Sequence, residues 1–300
     1  MNIIKLWHIL PILVILIGVQ VFATIIAVPT KASDITAFGD PESMNTPFIY
    51  LGYVIVVTAI ILILFKWGFK RFLTGFFLLS VWATTSFVTL ITTQQFAGTN
   101  SFVDAFALLL PLIFVLLIWK YPEWYVIDIV GFVMCVGATA IIGVSFGIYP
   151  VIVLLVIFAV YDAISVYKTR HMISLAESIL TQKLPALFII PKDRNFSYLN
   201  NQTWTNLDDT AARQTYIFGM GDIIFPSAMV VSASAFLTGS KLLGIFTYPA
   251  LGAMIGSYVG LITLMWYSER YSPRSHAGLP FLNAFTILGF ATTYLVSLWV

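Results

Sequence analysis

Two acidic residues, Asp162 and Asp222, lie deep inside long apolar stretches of this sequence. If such a stretch spans a membrane, an ionisable side chain within it is costly and usually faces a cavity or a partner. Asp104 and Asp128 also fall in apolar stretches, but close to their ends, where a carboxylate can reach the membrane surface. Asp162 and Asp222 are therefore the leading candidates for chemistry.

The chemistry open to this pair depends on whether the two carboxylates meet. Two like charges cannot both ionise comfortably in a low-dielectric site, so we expect a meeting pair to share one proton near neutral pH. The ionised acid can then take a proton from water that attacks a peptide carbonyl, while the protonated acid later protonates the reacting groups. This is aspartyl protease chemistry, and it needs no cofactor. Proton-coupled transport would use the same two acids and stays an alternative.

The residues next to the acids fit the close approach of a peptide. Gly219, Met220 and Gly221 directly precede Asp222, and the two glycines remove side-chain bulk there. Glycines are also common packing devices in membrane helices, so that alternative stays open. Tyr161 precedes the other acid and could orient a carboxylate or close the pocket through its hydroxyl.

The composition predicts an integral membrane protein. Of the 300 residues, 60% are hydrophobic and only 9% are charged, unlike a water-soluble domain. The net charge of +2 is too small and too scattered to favour nucleic-acid binding. The single cysteine, Cys135, excludes an intrachain disulfide and a thiolate metal cluster. The three histidines, His8, His171 and His276, are far apart in the sequence, so we expect no metal site.

Nine apolar segments are long enough to cross a bilayer, whose hydrocarbon core of about 30 Å needs about 20 helical residues. They run over residues 9–28, 48–65, 72–93, 102–119, 126–148, 150–167, 214–237, 242–267 and 279–299. The sequence therefore predicts an all-α polytopic fold with nine transmembrane helices in one membrane domain. Its parts are helices one to six in residues 1–170, a hydrophilic cytoplasmic linker in residues 171–212, and helices seven to nine in residues 213–300.

The distribution of basic residues predicts the orientation in the cell membrane. With the amino terminus in the cytoplasm and the carboxyl terminus outside, only Lys31 and Lys241 of the 15 lysines and arginines fall on the outer side. Asp162 lies six residues before the inner end of its span, and Asp222 lies nine residues after Arg213. At the helical rise, these spacings place the acids about 9 and 14 Å from the same cytoplasmic side. Such matched depths would allow the carboxylates to meet.

The dipeptide Tyr161-Asp162 and the tetrapeptide Gly219-Met220-Gly221-Asp222 resemble the YD and GxGD motifs of the presenilin and signal peptide peptidase family. The nine spans and the hydrophilic linker between the sixth and seventh are also similar to that family, and most of all to its archaeal presenilin homologues. The resemblance implies an intramembrane aspartyl endopeptidase with both acids catalytic. Its partners would be transmembrane helical substrates, or signal peptides, within the lipid bilayer. A homo-oligomer stays open, and nothing in the sequence requires accessory subunits.

The family's third motif is Pro-Ala-Leu at the start of the ninth span, and this sequence offers three candidates for it. Pro185-Ala186-Leu187 lies in the linker, and Pro249-Ala250-Leu251 lies within the eighth span, where the proline is more simply a helix kink. Pro280-Phe281-Leu282 differs at its middle residue, but it follows Leu279 at the position that the family uses. The resemblance therefore implies that the segment from Leu279 to Leu282 helps to hold the substrate.

Cleavage inside a membrane requires the substrate to unwind. A helical peptide bond is shielded by its own hydrogen bonds, so we expect the cut segment to become extended by pairing with a strand near the active site. Residues near Leu279, or in the linker before Arg213, could supply that strand. A prepilin-peptidase-like protease stays a second alternative, although it would share only the GxGD motif. A transporter would be expected to show inverted repeats, and none is apparent.

Overall fold

A computed structural model gives the architecture of the chain. The structure describes residues 3–32, 35–98, 100–169, 179–180, 184–192, 197, 215–239, 241–242, 244–271 and 277–298. His171, His276, Arg213 and most of the predicted linker at 171–212 lie outside these described residues, as does the side chain of His8.

The described chain is mostly helical. The helices are α1 (Ile3–Ala32), α2 (Thr46–Lys66), α3 (Lys70–Ala97), α4 (Ser101–Leu109), α5 (Pro111–Lys120), α6 (Trp124–Ser145), α7 (Ile148–Ala163), α8 (Met220–Phe236), α9 (Tyr248–Tyr271) and α10 (Leu279–Ser297). A π-helix, Ile164–Thr169, extends α7. The strands are β1 (Leu187–Pro191), β2 (Thr215–Gly219), β3 (Lys241–Leu242) and β4 (Phe246–Thr247). β1 pairs with β2 and β3 pairs with β4, both antiparallel.

The prediction of a multi-pass helical membrane protein is confirmed. Of the described helices, eight are long and apolar enough to cross a bilayer, with α4 and α5 together forming the span Ser101–Lys120. α7 and its π-helical extension form the span Ile148–Lys168. The remaining predicted span, the seventh at 214–237, contains α8, which is apolar but shorter than the others.

Two predicted spans begin differently from what we expected. The seventh, 214–237, starts with strand β2, because Thr215 to Phe218 is a run of β-branched and aromatic residues that suits a strand as well as a span. The eighth, 242–267, starts with the β3–β4 hairpin, in which Gly244 adopts a positive φ of 71°. The expectation of a helix kink at Pro249 is also wrong. This proline is the second residue of α9, where a helix tolerates proline.

The chain forms two compact units. The first comprises Met1–Tyr53, Ala138–His171 and Gly221–Val300, and the second comprises Val54–Gly137 and Met172–Met220. In the second unit, Ile127, Leu180 and Ile189 form a buried cluster that supports the β1–β2 pair.

In the first unit, helices α9 and α10 are in close contact at glycine residues. A β-carbon at Gly252 of α9 would meet the backbone carbonyl of Gly289 of α10, and one at Gly256 would meet that of Phe285. Small residues of this kind let two membrane helices approach backbone to backbone. The Asn283 side chain of α10 also donates a 2.8 Å hydrogen bond to the Leu155 carbonyl of α7. These contacts place the start of α10 beside the end of α7.

Candidate active site

Asp162 is the last residue but one of α7, and only 5% of it is exposed. Its Oδ2 atom accepts a 3.2 Å hydrogen bond from the backbone N–H of Leu279, the first residue of α10. The backbone N–H of Gly278 also faces this carboxylate. The first N–H groups of a helix have no partner within the helix, so Asp162 satisfies a donor that would otherwise be buried and unpaired.

Asp222 approaches the same turn from another helix. It is the third residue of α8 and is partly buried. A β-carbon on Gly278 would lie 2.8 Å from Asp222 Oδ2 and 2.9 Å from its Cγ, so the glycine is packed against the carboxylate. With standard backbone dimensions, the contacts to residues 278 and 279 place the two carboxylates no more than about 10 Å apart.

Two phenylalanines, one on each helix, pack the helices that carry Asp162 and Asp222 against each other. Phe158 lies four residues before Asp162, and Phe225 lies three residues after Asp222, so each ring projects from the same helix face as its acid. The two ring centroids are 4.2 Å apart. This contact holds α7 and α8 side by side at the level of the acids. The spacing of these rings was the signal in the sequence that could have indicated their role.

Comparisons with known proteins identify the family of the chain. The sequence model of the family described as signal-peptide peptidase, presenilin aspartyl protease matches residues 12–298. The chain belongs to this family. It is accordingly an intramembrane aspartyl protease, and the match extends far beyond the GxGD motif that a prepilin-peptidase-like enzyme would share. No curated protein sequence matches it.

Solved structures support the same assignment. A presenilin family intramembrane aspartate protease, solved in the C222 space group, is 32% identical with a TM-score of 0.68. A second structure with this description, in the P2 space group, is 33% identical with a TM-score of 0.69. Each comparison covers 96% of this chain and 97% of the other. The predicted presenilin-like fold is therefore confirmed.

The protease carries its GxGD segment at the junction of a strand and a helix. Gly219 ends β2, Met220 begins α8 and is buried, and Gly221 is followed by the acid. Among the residues that the structure describes, a β-carbon on Gly221 would touch only Phe225 of its own helix, at 3.6 Å. Unlike the glycines of α9 and α10, Gly221 is not packed against a neighbouring helix. This favours close approach of a peptide over helix packing as the reason for this glycine.

The other predicted site residues flank the acids. Tyr161 is partly buried, with its ring edge-on to Phe158 at a centroid distance of 6.2 Å. Leu279, Pro280, Phe281 and Leu282 form the first turn of α10. The Phe281 ring lies 5.4 Å from the Tyr267 ring of α9. The structure thus places the start of Pro280-Phe281-Leu282 one residue from the amide that contacts Asp162.

The other two candidates for the Pro-Ala-Leu motif lie elsewhere. Pro249-Ala250-Leu251 is in the first turn of α9. Pro185-Ala186-Leu187 leads into β1, where the Ala186 carbonyl accepts a 3.4 Å hydrogen bond from the Met220 amide. The segment at Pro280 directly follows Leu279, whose amide contacts Asp162.

Sequence analysis missed two residues. Gly278 contacts both acids, and its position two residues before Pro280, where the third motif begins, was the available signal. We expected Asp128 of α6 to reach the membrane surface, but in the structure it has a partner within the protein. Its Oδ1 atom accepts a 2.9 Å hydrogen bond from the backbone N–H of Ile189 in β1. Asp128 therefore anchors one strand of the β1–β2 pair.

Proposed function

We propose that this protease hydrolyses peptide bonds within the transmembrane helices of membrane proteins or signal peptides, with Asp162 and Asp222 as the catalytic pair. The observation that supports this proposal is that Asp162 contacts the amides of residues 278 and 279, while Asp222 is packed against residue 278. One acid, as the carboxylate, accepts a proton from the attacking water. The other, as the neutral acid, donates a hydrogen bond to the substrate carbonyl and then a proton to the leaving amine.

The buried environment of the pair suits this mechanism. Asp162 is buried and held by a backbone N–H, so its carboxylate is positioned before any substrate arrives. Positioning of this kind lowers the barrier because the reacting groups need not be ordered during the reaction. We infer that Gly221 leaves the space through which the peptide backbone reaches the acids.

The substrate strand is proposed to add to β2 and not to β1. The Ile189 N–H bonds Asp128, so it points away from β2. In an antiparallel pair, two residues directly opposite each other either bond each other through their backbone groups or both point those groups outward. Ile217 is opposite Ile189, so its N–H and carbonyl point away from β1. Asp128 thus occupies the outer edge of β1 at Ile189, and we propose that an extended peptide pairs with β2 at Ile217. β2 ends at Gly219, three residues before Asp222 in the sequence.

The experiment that tests the proposed function uses the purified protein alone in lipid bilayers. Incubated with a single-span helical substrate, it should release two fragments that mass spectrometry can assign to one or a few bonds inside the span. A hydroxyl-bearing peptide isostere should block this cleavage, because it imitates the hydrated carbonyl between the acids. Intact substrate together with acid-dependent proton flux would instead favour the carrier alternative. Cleavage only after a second protein is added would show that an accessory subunit takes part, which nothing in the sequence requires.

We also propose that the amino terminus lies in the cytoplasm and the carboxyl terminus outside. This orientation leaves only Lys31 and Lys241 on the outer side. Cysteine labelling of single-cysteine variants at each terminus, with a reagent that cannot cross the membrane, would check it in intact cells.

Loss of the Asp128 anchor is expected to weaken substrate binding. Asp128→Leu leaves the Ile189 N–H without its acceptor, at a cost of about 1–3 kcal/mol. Because the β1–β2 pair then loosens, we expect KM to rise roughly tenfold with a smaller change in kcat. Amide hydrogen exchange at Ile189 should accelerate in the same variant.

The matched control is Asp128→Asn, which keeps an oxygen acceptor at the same place. It should retain wild-type KM and wild-type exchange at Ile189. A leucine variant with unchanged KM and unchanged exchange would show that Asp128 does not position the strands.

A further inference from the structure

A cavity of about 400 Å³ lies at the end of α8 that is remote from the acids. It is bounded by the last turns of α1, by the last turn of α8 and by residues that follow α8, including Lys241 and Ile245. Ala235 of α8 lines the cavity and is 13 residues after Asp222, a separation of about 20 Å along the helix. The volume falls in the range of small-ligand sites, about 300–1,000 Å³.

Two lysines converge on this cavity. Lys31 Nζ donates a 2.6 Å hydrogen bond to the Ala235 carbonyl, and Lys241 Nζ donates a 3.0 Å hydrogen bond to the Ser234 carbonyl. These consecutive carbonyls lie at the C-terminal end of α8, where carbonyl groups lack helical partners. An ammonium group carries three N–H donors, and the carbonyl bond uses one of them in each lysine. Both ammonium groups therefore stand at the wall of the cavity with further donor capacity.

The charges around the cavity are unequal. The two ammonium groups are close enough to interact electrostatically with each other, and Glu42 is the acidic residue whose charge acts on Lys31. The C-terminal end of a helix contributes only about half a negative charge. Asp34 lies outside the described residues. Two cations thus face the cavity with incomplete compensation in the described part of the chain, which favours an anionic ligand.

Most of the remaining wall is apolar and reaches the lipid-facing surface, although Thr24 and Ser234 also line the cavity. Ala27, Val28, Val231 and Ile245 line it, and Val28 is 58% exposed on the side of a membrane-spanning helix. A ligand that combines an anionic group with a hydrocarbon chain would satisfy both parts of the wall. Lys31 also lies at the end of a span, where a lipid headgroup would be.

We propose that this cavity binds a phosphate-bearing anion between Lys31 and Lys241, with the headgroup of an anionic lipid as its source. The site is separate from the acids and does not depend on their catalytic role. Free inorganic phosphate shares the headgroup's chemistry, and the two sources can be separated because only the lipid also contacts the apolar wall.

The test is native mass spectrometry of the purified full-length protein in detergent, titrated with phosphatidylglycerol, phosphatidylcholine or inorganic phosphate. The wild-type protein should retain phosphatidylglycerol in preference to phosphatidylcholine. In the double variant Lys31→Gln, Lys241→Gln, affinity for phosphatidylglycerol should fall about tenfold or more, since each interfacial lysine contributes about a fivefold preference. Phosphatidylcholine binding should not change.

Two further variants make the result specific. Lys120→Gln removes an exposed lysine at the end of another span and should leave phosphatidylglycerol binding intact. Lys31→Arg keeps the charge and should preserve binding, which separates loss of charge from loss of folding. Lysine-dependent binding of inorganic phosphate at equal affinity would support the anion site and assign it to soluble phosphate. Equal binding of the two lipids by the wild type, or an unaffected double variant, would overturn the proposal.

Discussion

Asp162→Asn and Asp222→Asn are each expected to abolish cleavage of a reconstituted single-span substrate while the protein still folds. Asparagine has the shape of aspartate, and at position 162 its oxygen can still accept the Leu279 N–H. It cannot exchange a proton with water or with a leaving amine, so acid–base catalysis is lost. The expected fall in kcat is at least about 10³-fold for either variant, measured from fragments released per enzyme.

The double variant sharpens this test. Because the two acids act as one unit, removing both should cost about as much as removing one. Asp104→Asn is a suitable control, since Asp104 is also in a span but bonds the Gln94 side chain at 2.8 Å. It should retain activity. Cleavage that survives either single change, in protein with a wild-type thermal unfolding profile, would contradict the assignment of the catalytic pair.

Gly278→Ala is expected to lower kcat about 100-fold with little change in KM. The φ and ψ of Gly278, −82° and −42°, suit alanine, so the backbone itself is not strained by the substitution. The new β-carbon, however, would lie 2.8 Å from Asp222 Oδ2, and either the carboxylate or the start of α10 must move. A displacement of about 1 Å at a reacting group can reduce a rate about 100-fold.

Gly75→Ala is the matched control for this substitution. A β-carbon at Gly75 in α3 meets no atom within 4 Å, so activity and stability should stay at the wild-type level. Steady-state cleavage kinetics and thermal unfolding of both variants check the prediction. A Gly278→Ala enzyme with wild-type kcat would show that the position of Asp222 against residue 278 is not needed for turnover.

The sequence allowed the helical membrane fold to be predicted, but the depth estimate for Asp222, on which the expected proximity of the two acids depended, was wrong in its details. We counted the residues after Arg213 at the helical rise, whereas Thr215–Gly219 is a strand. An apolar run of β-branched and aromatic residues fits either structure, and its length alone does not decide between them. The pairing with β1 decides it, through residues about thirty positions away.

The contacts of Gly278 and Asp128 were missed for a similar reason. The contact between Leu279 and Asp162 joins residues 117 positions apart, and that between Ile189 and Asp128 joins residues 61 apart. Hydrophobic periodicity and motif spacing indicate which residues are neighbours within one helix or strand. They do not indicate which turn of α10 contacts which acid, because that contact joins distant parts of the sequence. The aromatic spacing around the two acids was a local feature that pointed to the packing of α7 against α8.

The glycine contact between α9 and α10 limits which sequence changes this protein can accept. In a saturation library selected only for folded, inserted protein, positions 252, 256 and 289 should tolerate almost no replacement, because any β-carbon there meets the backbone or a side chain of the other helix. Position 278 should be restricted only when the selection is for turnover. A comparison of the two selections would therefore separate the residues that build the scaffold from those that serve the chemistry, without a structure of a substrate complex.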